Sequence, residues 1–199
     1  MKKLILLVSL LSFSMHSQNV TVNSGSSFTI QSTSSLTVGG NFSTNGSGTV
    51  ILNSDATNYS SIIISGSVSS GSNITYNRYV NSVGTDEWDL IGSPVNEQSI
   101  NSFATTNAAP LATGGGSGSD QYAIGVYDNE TDNWTNYTTS TIGTAGDFDI
   151  GKGYQMATDI GATLAFTGTP VSTAQTQAIQ DYSSTSGRIW NLIANPFPS

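Results

Sequence analysis

Residues 19–64 read NVTVNSGSSFTIQSTSSLTVGGNFSTNGSGTVILNSDATNYSSIII. Apolar residues come in alternating pairs, Val20/Val22, Phe28/Ile30, Leu36/Val38, Val50/Leu52 and Ile62/Ile64, and Ile74/Tyr76 continues the series. Each pair puts two side chains on one face of a short strand while Ser, Thr or Gln points the other way. Between the pairs sit turn formers: Asn23-Ser24-Gly25, Gly39-Gly40-Asn41 and Asn45-Gly46-Ser47-Gly48. The pairs recur at short intervals, a spacing that suits a meander, one sheet of a sandwich or a short parallel β-helix. Very short strands, Asn/Gly turns and nearly absent flanking charge favour the third. Residues 18–80 are therefore expected to be β-helix-like repeats, about three rungs that need the following domain as a cap. A disordered Ser/Thr/Gly chain would lack the Ile62-Ile63-Ile64 run.

After Val80 the composition shifts, and all three Trp and most of the acids lie there. Strands are expected at Trp88–Ile91, Tyr122–Tyr127, Trp134–Tyr137, Gly153–Met156, Thr163–Phe166 and Ile189–Ile193. The run Tyr127-Asp128-Asn129-Glu130-Thr131-Asp132-Asn133-Trp134 reads as strand, Asp/Asn turn, strand. Residues 81–199 are read as an antiparallel β-sandwich, jelly-roll-like, in an all-β chain. The best helical stretch is Ala174 to Tyr182. Gly114-Gly115-Gly116-Ser117-Gly118 lacks the Lys-Ser/Thr and the strand–helix setting of a phosphate cradle, and is a loop. One repeat is specific: Trp88-Asp89-Leu90-Ile91-Gly92-Ser93-Pro94 returns near the end of the chain as Trp190-Asn191-Leu192-Ile193-Ala194-Asn195-Pro196. It reads as a buried strand, its Trp and Ile in the core, closed by a Pro turn. The chain stops at Ser199 just after the second copy, and truncation at the C-terminus is expected.

The first seventeen residues carry Lys2 and Lys3 and then an apolar run from Leu4 to Leu11 that is too short to span a bilayer. This is the pattern of a secretory signal peptide, residues 1–17, with Gln18 as the first mature residue. Net charge is −8 over the whole chain. Without the signal, three cations (Arg78, Lys152 and Arg188) face thirteen carboxylates, a balance of −10. Such a chain repels phosphate backbones and has no basic amphipathic segment, so neither nucleic acid nor membrane insertion is expected. With no Cys, and His16 leaving with the signal, imidazole bases, Ser-His or Cys-His nucleophile pairs and thiolate or imidazole zinc sites are excluded. Carboxylate chemistry and hard-cation binding through oxygen remain.

The residues Trp88-Asp-Leu-Ile-Gly-Ser-Pro94, Gly151-Lys-Gly-Tyr154, Phe166-Thr-Gly-Thr169 and Trp190-Asn-Leu-Ile-Ala-Asn-Pro196, in an order of signal, Gly/Asn-rich strand repeats and β-rich module, resemble the large secreted proteins of Bacteroidota. Those proteins commonly leave by the type IX secretion system and end in a C-terminal sorting domain, which this sequence lacks. The resemblance implies a surface protein of which this is the N-terminal part. It carries over no catalytic residue, since such proteins serve as adhesins, surface-layer components and carriers of assorted enzyme modules.

Exposed aromatics can stack on the apolar face of a sugar, and Trp134 and Tyr137, beside the acidic turn, are the candidate ligand-binding residues, although a core ring is the plainer account of Trp134. Asp128 and Asp132 are candidate Ca²⁺ ligands, although EF-hand spacing is absent and a solvated turn is the plainer account. No other cofactor is expected. Two carboxylate groupings, Asp86/Glu87/Asp89 and Asp147/Asp149, stand close in sequence, as a glycosidase pair would require in space; ordinary surface acids are the default. The expectation is a secreted or cell-surface structural, adhesive segment without catalytic activity, meeting polysaccharide or cell-surface components. The alternative is a carbohydrate-binding module attached to an enzyme domain missing from this chain.

Overall fold

The computed structural model describes residues 18–84, 88–114, 120–184 and 187–198. The expected signal peptide, Asp86, Glu87, Ser199 and residues 115–119 of the glycine-rich loop lie outside the described residues. In chain order the strands are β1 (Val20–Val22), β2 (Ser27–Ile30), β3 (Ser35–Val38), β4 (Phe42–Thr44), β5 (Thr49–Asn53), β6 (Ser61–Ile64) and β7 (Ile74–Val80). Then come β8 (Asp89–Ile91), β9 (Val95–Asn96), helix α1 (Ile100–Thr106), β10 (Thr113–Gly114), β11 (Gln121–Asp128), β12 (Asn133–Thr138), β13 (Tyr154–Met156) and β14 (Ala162–Pro170). The fold is all-β, and no described helix is long and apolar enough to cross a membrane.

The first seven strands do not form hairpins. They pair in parallel, each with a strand two or three places further along: Val20 with Phe42, Ser27 with Thr49, Ser35 with Ser61, and Ile51 with Thr75. The turns explain this. Asn23 O accepts from Ser26 N at 3.0 Å with Gly25 at φ 79°, which bends the chain onto a new face and leaves the neighbouring strands unpaired with each other. Inward side chains then stack in register, Ile30 beside Leu52 beside Tyr76, and Val38 beside Ile64, all buried. Outside, amides stack in the same register, with Asn53 donating to Gln31 at 3.3 Å and Asn77 donating to Asn53 at 2.9 Å. β4 is a strand that alternation does not announce, because Phe42 alone supplies its buried residue, beside Val20. In the loop after β5, the Asp55 carboxylate accepts from the Thr57 backbone and hydroxyl and from Asn58 N, which hold it far below the ordinary carboxylate range.

The pairing changes sense at β7. β14 lies antiparallel to it from Ala162 opposite Val80 to Gly168 opposite Ile74, and β9 follows, giving one sheet in the order β2-β5-β7-β14-β9. That sheet and a single buried cluster from Val22 to Phe166 both run across residue 80. A second five-stranded sheet has the order β10-β11-β13-β8, with β12 also on β11. Between the two sheets lies Phe148, its ring edge-on to Tyr154 of β13 at 4.9 Å and to Phe103 of α1 at 5.2 Å, and 5.8 Å from Phe166 of β14.

The helix lies elsewhere than the sequence suggests. Ala174 to Tyr182 is irregular: Ile179 is exposed, and the segment is held by polar ties such as Gln180 N to Asn191 Oδ1 at 2.9 Å. α1 is instead capped by Ser99, whose Oγ accepts from Ser102 N, and buries Ile100, Phe103 and Ala104. Just after it, buried Asn107 locks α1 to β14: its Oδ1 accepts from Ala165 N at 2.7 Å and its Nδ2 donates to Ala165 O at 3.1 Å. Asn107→Leu orphans both backbone groups and is expected to cost about 2–4 kcal/mol. Urea denaturation with an unchanged slope would read this; a wild-type midpoint would refute it.

Candidate functional site

The turn at 128–133 closes as a hairpin because its acids bond their own backbone. Asp128 accepts from Glu130 N at 3.0 Å and from the Thr131 hydroxyl at 2.7 Å. The Thr131 hydroxyl, then Glu130 N, hold its carboxyl below the usual range. Asp132 adopts φ 56°. The resulting register sets Tyr127 directly opposite Trp134, ring centroids 5.3 Å apart and tilted by 49°. The Tyr127 hydroxyl donates to Asp132 at 2.8 Å, which pushes its pKa up and keeps it protonated.

A second segment joins this hairpin from far along the chain. Arg188 donates its backbone N–H to Asn129 O at 2.7 Å, and its guanidinium meets Asp132 at 2.8 Å. The Asn191 side chain accepts from Gln180 N at 2.9 Å and donates to Gln180 O at 2.8 Å, while Asn129 Nδ2 reaches the same carbonyl at 3.1 Å. Gly153 makes room for Leu192, which a Cβ there would meet at 2.5 Å. These ties carry Trp190 to the hairpin. Tyr127, Trp134, Trp190, Asn191 and Leu192 line a shallow concavity of about 220 Å³, with Trp134 44% and Trp190 71% exposed. Beside it runs a groove of about 390 Å³ whose walls include Asp128, Asn129, Asp149, Lys152 and Gln177.

Not every sequence-derived candidate converges here. Trp134 does. Tyr137, three residues on along β12, is on the other face and packs against the core, where burial pushes its hydroxyl pKa up. Of the two candidates, Trp134 stands with Tyr127 and Trp190. Trp190, which its motif places in the core by analogy with Trp88, lies instead at the surface. Trp88 packs on Ala112, Ala123 and Ala157 next to β8, whereas the second motif copy forms no strand and meets the sheet region through the bridge of Ile193 to Lys152, with Leu192 against Gly153 and Ala194 against Gly92. What the two copies share is the second position: Asp89 accepts from Asn81 N at 2.7 Å, as Asn191 does from Gln180 N.

The candidate Ca²⁺ ligands Asp128 and Asp132 already serve the turn, Tyr127 and Arg188, so a cation would have to displace a guanidinium. No group of three or more His, Cys, Asp or Glu that could hold a metal stands among the described residues. Asp147 and Asp149 flank buried Phe148; Asp149 meets Lys152 at 3.5 Å, and Asp147 bridges to Ser99 through backbone.

A site built as a tilted aromatic cluster beside a polar groove can stack a ring and hydrogen-bond its rim. Neither curated proteins nor solved structures give a match to the chain. A family model matches residues 7–199, and the chain belongs to that family, described as Domain of unknown function (DUF8693).

Proposed function

We propose that this protein is a secreted or cell-surface adhesive segment, without catalytic activity of its own, that holds a neutral polysaccharide on Tyr127, Trp134 and Trp190. The observation that carries the reading is that Trp190 is exposed and delivered to the Tyr127–Trp134 pair by a segment that joins the hairpin from far along the chain. Large rings left in water cost free energy unless a ligand covers them. The rim offers amide and carboxylate groups suited to sugar hydroxyls, and the acidic surroundings disfavour uronates. The expected signal peptide and the resemblance to Bacteroidota surface proteins support an outer-surface location. The fold reading goes with it: residues 18–80 are a three-sided β-helix-like stack, supported by the parallel pairing of β1, β2 and β3 with β4, β5 and β6, and the rest is a two-sheet sandwich filled by Phe148.

Two of the three Trp lie in this site, so intrinsic fluorescence titrated with β-glucan, mannan, xylan and, as the charged arm, alginate tests it directly. A neutral polysaccharide is expected to shift the emission, and Trp134→Ala and Trp190→Ala each to weaken binding about tenfold, the worth of some 1.4 kcal/mol. Trp88→Phe should bind as wild type. If all the neutral polysaccharides leave the wild type unchanged, or the two variants bind normally, the proposal fails.

A further inference from the structure

The parallel stack has two unlike ends. The second-rung strands are all covered on their outer side: β4 by the bridge from Phe42 to Val68, β5 by β7, and β6 by the carbonyl of Pro198, which accepts from Ile62 N at 2.8 Å. The first-rung strands are not. β1, β2 and β3 each stand at the margin of their sheet, with no second partner strand among the described residues. Such edges expose backbone donors and acceptors on one side and are ordinarily blunted with charge, Pro or a bulge. Here Ser27–Ile30 and Ser35–Val38 pair without a bulge, and residues 18–54 contain no Asp, Glu, Lys, Arg or Pro. The amide ladders also stop at this end, at Asn23 and Gln31.

We propose that the first rung is a self-association surface whose occupant is the first rung of a second copy. Charge selects that occupant. Every described acidic residue lies from Asp55 onward in a chain whose net charge is −8, and Asp55 reaches the first rung only at its Ser32 corner, so two copies repel through most of their surface and least at this end. The geometry closes. A twofold axis through the middle of β2 reverses the direction of travel around the stack, so all facing strands become antiparallel, β2 against β2 and β1 against the other copy's β3. The interface is isologous and stops at two chains.

Thr21, Thr29 and Thr37 are exposed at the centre or penultimate position of the three edge strands. Light scattering and sedimentation velocity on the purified chain are expected to give a two-chain mass that persists at high salt. The combined variants T21K/T29K/T37K and T21D/T29D/T37D should each give a one-chain mass with wild-type circular dichroism, and an equimolar mixture of the two should restore the two-chain species. Lys at exposed Thr105, Ser140 and Thr173 is the control and should leave the two-chain mass intact. A one-chain wild type, as when the chain's own first seventeen residues or another protein takes the edge, overturns the proposal. So do larger polymers, triple variants that still pair, or a mixture that stays single.

Discussion

Leu52→Asp is expected to unfold the whole chain, including the part that contains every tryptophan. Leu52 is fully buried in β5, in register between Ile30 and Tyr76. An aspartate there loses the leucine's burial and brings an uncompensated charge into the stack, a cost of about 5 kcal/mol or more. That matches the total stability of a typical domain. The damage should spread because β5 pairs with β7 and β7 with β14, so the core of the first region is continuous with that of the second. Trp88, Trp134 and Trp190 all lie beyond residue 80 and report only on the second region. Red-shifted tryptophan emission in Leu52→Asp at room temperature would show one cooperative unit. Native emission with loss of far-ultraviolet signal would show two independent ones and sink the expectation. Leu52→Met, similar in volume, should keep both signals, at a cost under about 1.5 kcal/mol.

Phe166→Ala should follow at about 3–5 kcal/mol, the usual cost of deleting a buried phenyl ring. Its ring lies 4.5 Å from Phe103 and 5.8 Å from Phe148, while its backbone pairs with Tyr76 of β7. The residue therefore joins the helix, the ring between the sheets and the first region at one point. Removing it leaves Phe148 with Phe103 and Tyr154 only. Urea midpoints should fall accordingly, and Phe166→Leu should recover part of the loss. A drop below about 1 kcal/mol would mean that the neighbouring rings close the gap, and that Phe148 rather than Phe166 organises the cluster.

Much of the strand pattern was legible because burial on one face leaves alternation in the chain. Val20/Val22, Phe28/Ile30, Leu36/Val38, Val50/Leu52, Ile62/Ile64 and Ile74/Tyr76 each fall in a strand, and Tyr127 to Trp134 is the expected hairpin. Alternation fixes which face a residue takes and says nothing of its partner strand; parallel stacking was expected from the very short strands and Asn/Gly turns, while the partners and register needed coordinates to be seen. β4 escaped because one large ring does the work of a pair. α1 escaped because so short a helix gives too few turns for a period, although Ser99 with Ile100, Phe103 and Ala104 is a cap followed by a stripe. At the site, Trp134 was named as a candidate beside polar turn residues although a core ring was the plainer reading of its sequence, and Tyr127 follows from the hairpin register. Trp190 was not, because its motif matches that of half-buried Trp88 and the two environments differ only in which strands happen to flank them.

The offset pairing also makes length adjustable. Because each early strand takes its partner from two or three strands further along the chain, duplicating one such span in the gene would insert a whole storey without altering any contact at either end. Each added storey would lengthen the body by about 4.8 Å, the spacing between paired strands. On the β-helix-like reading proposed above, the number of repeats sets the distance between the two ends.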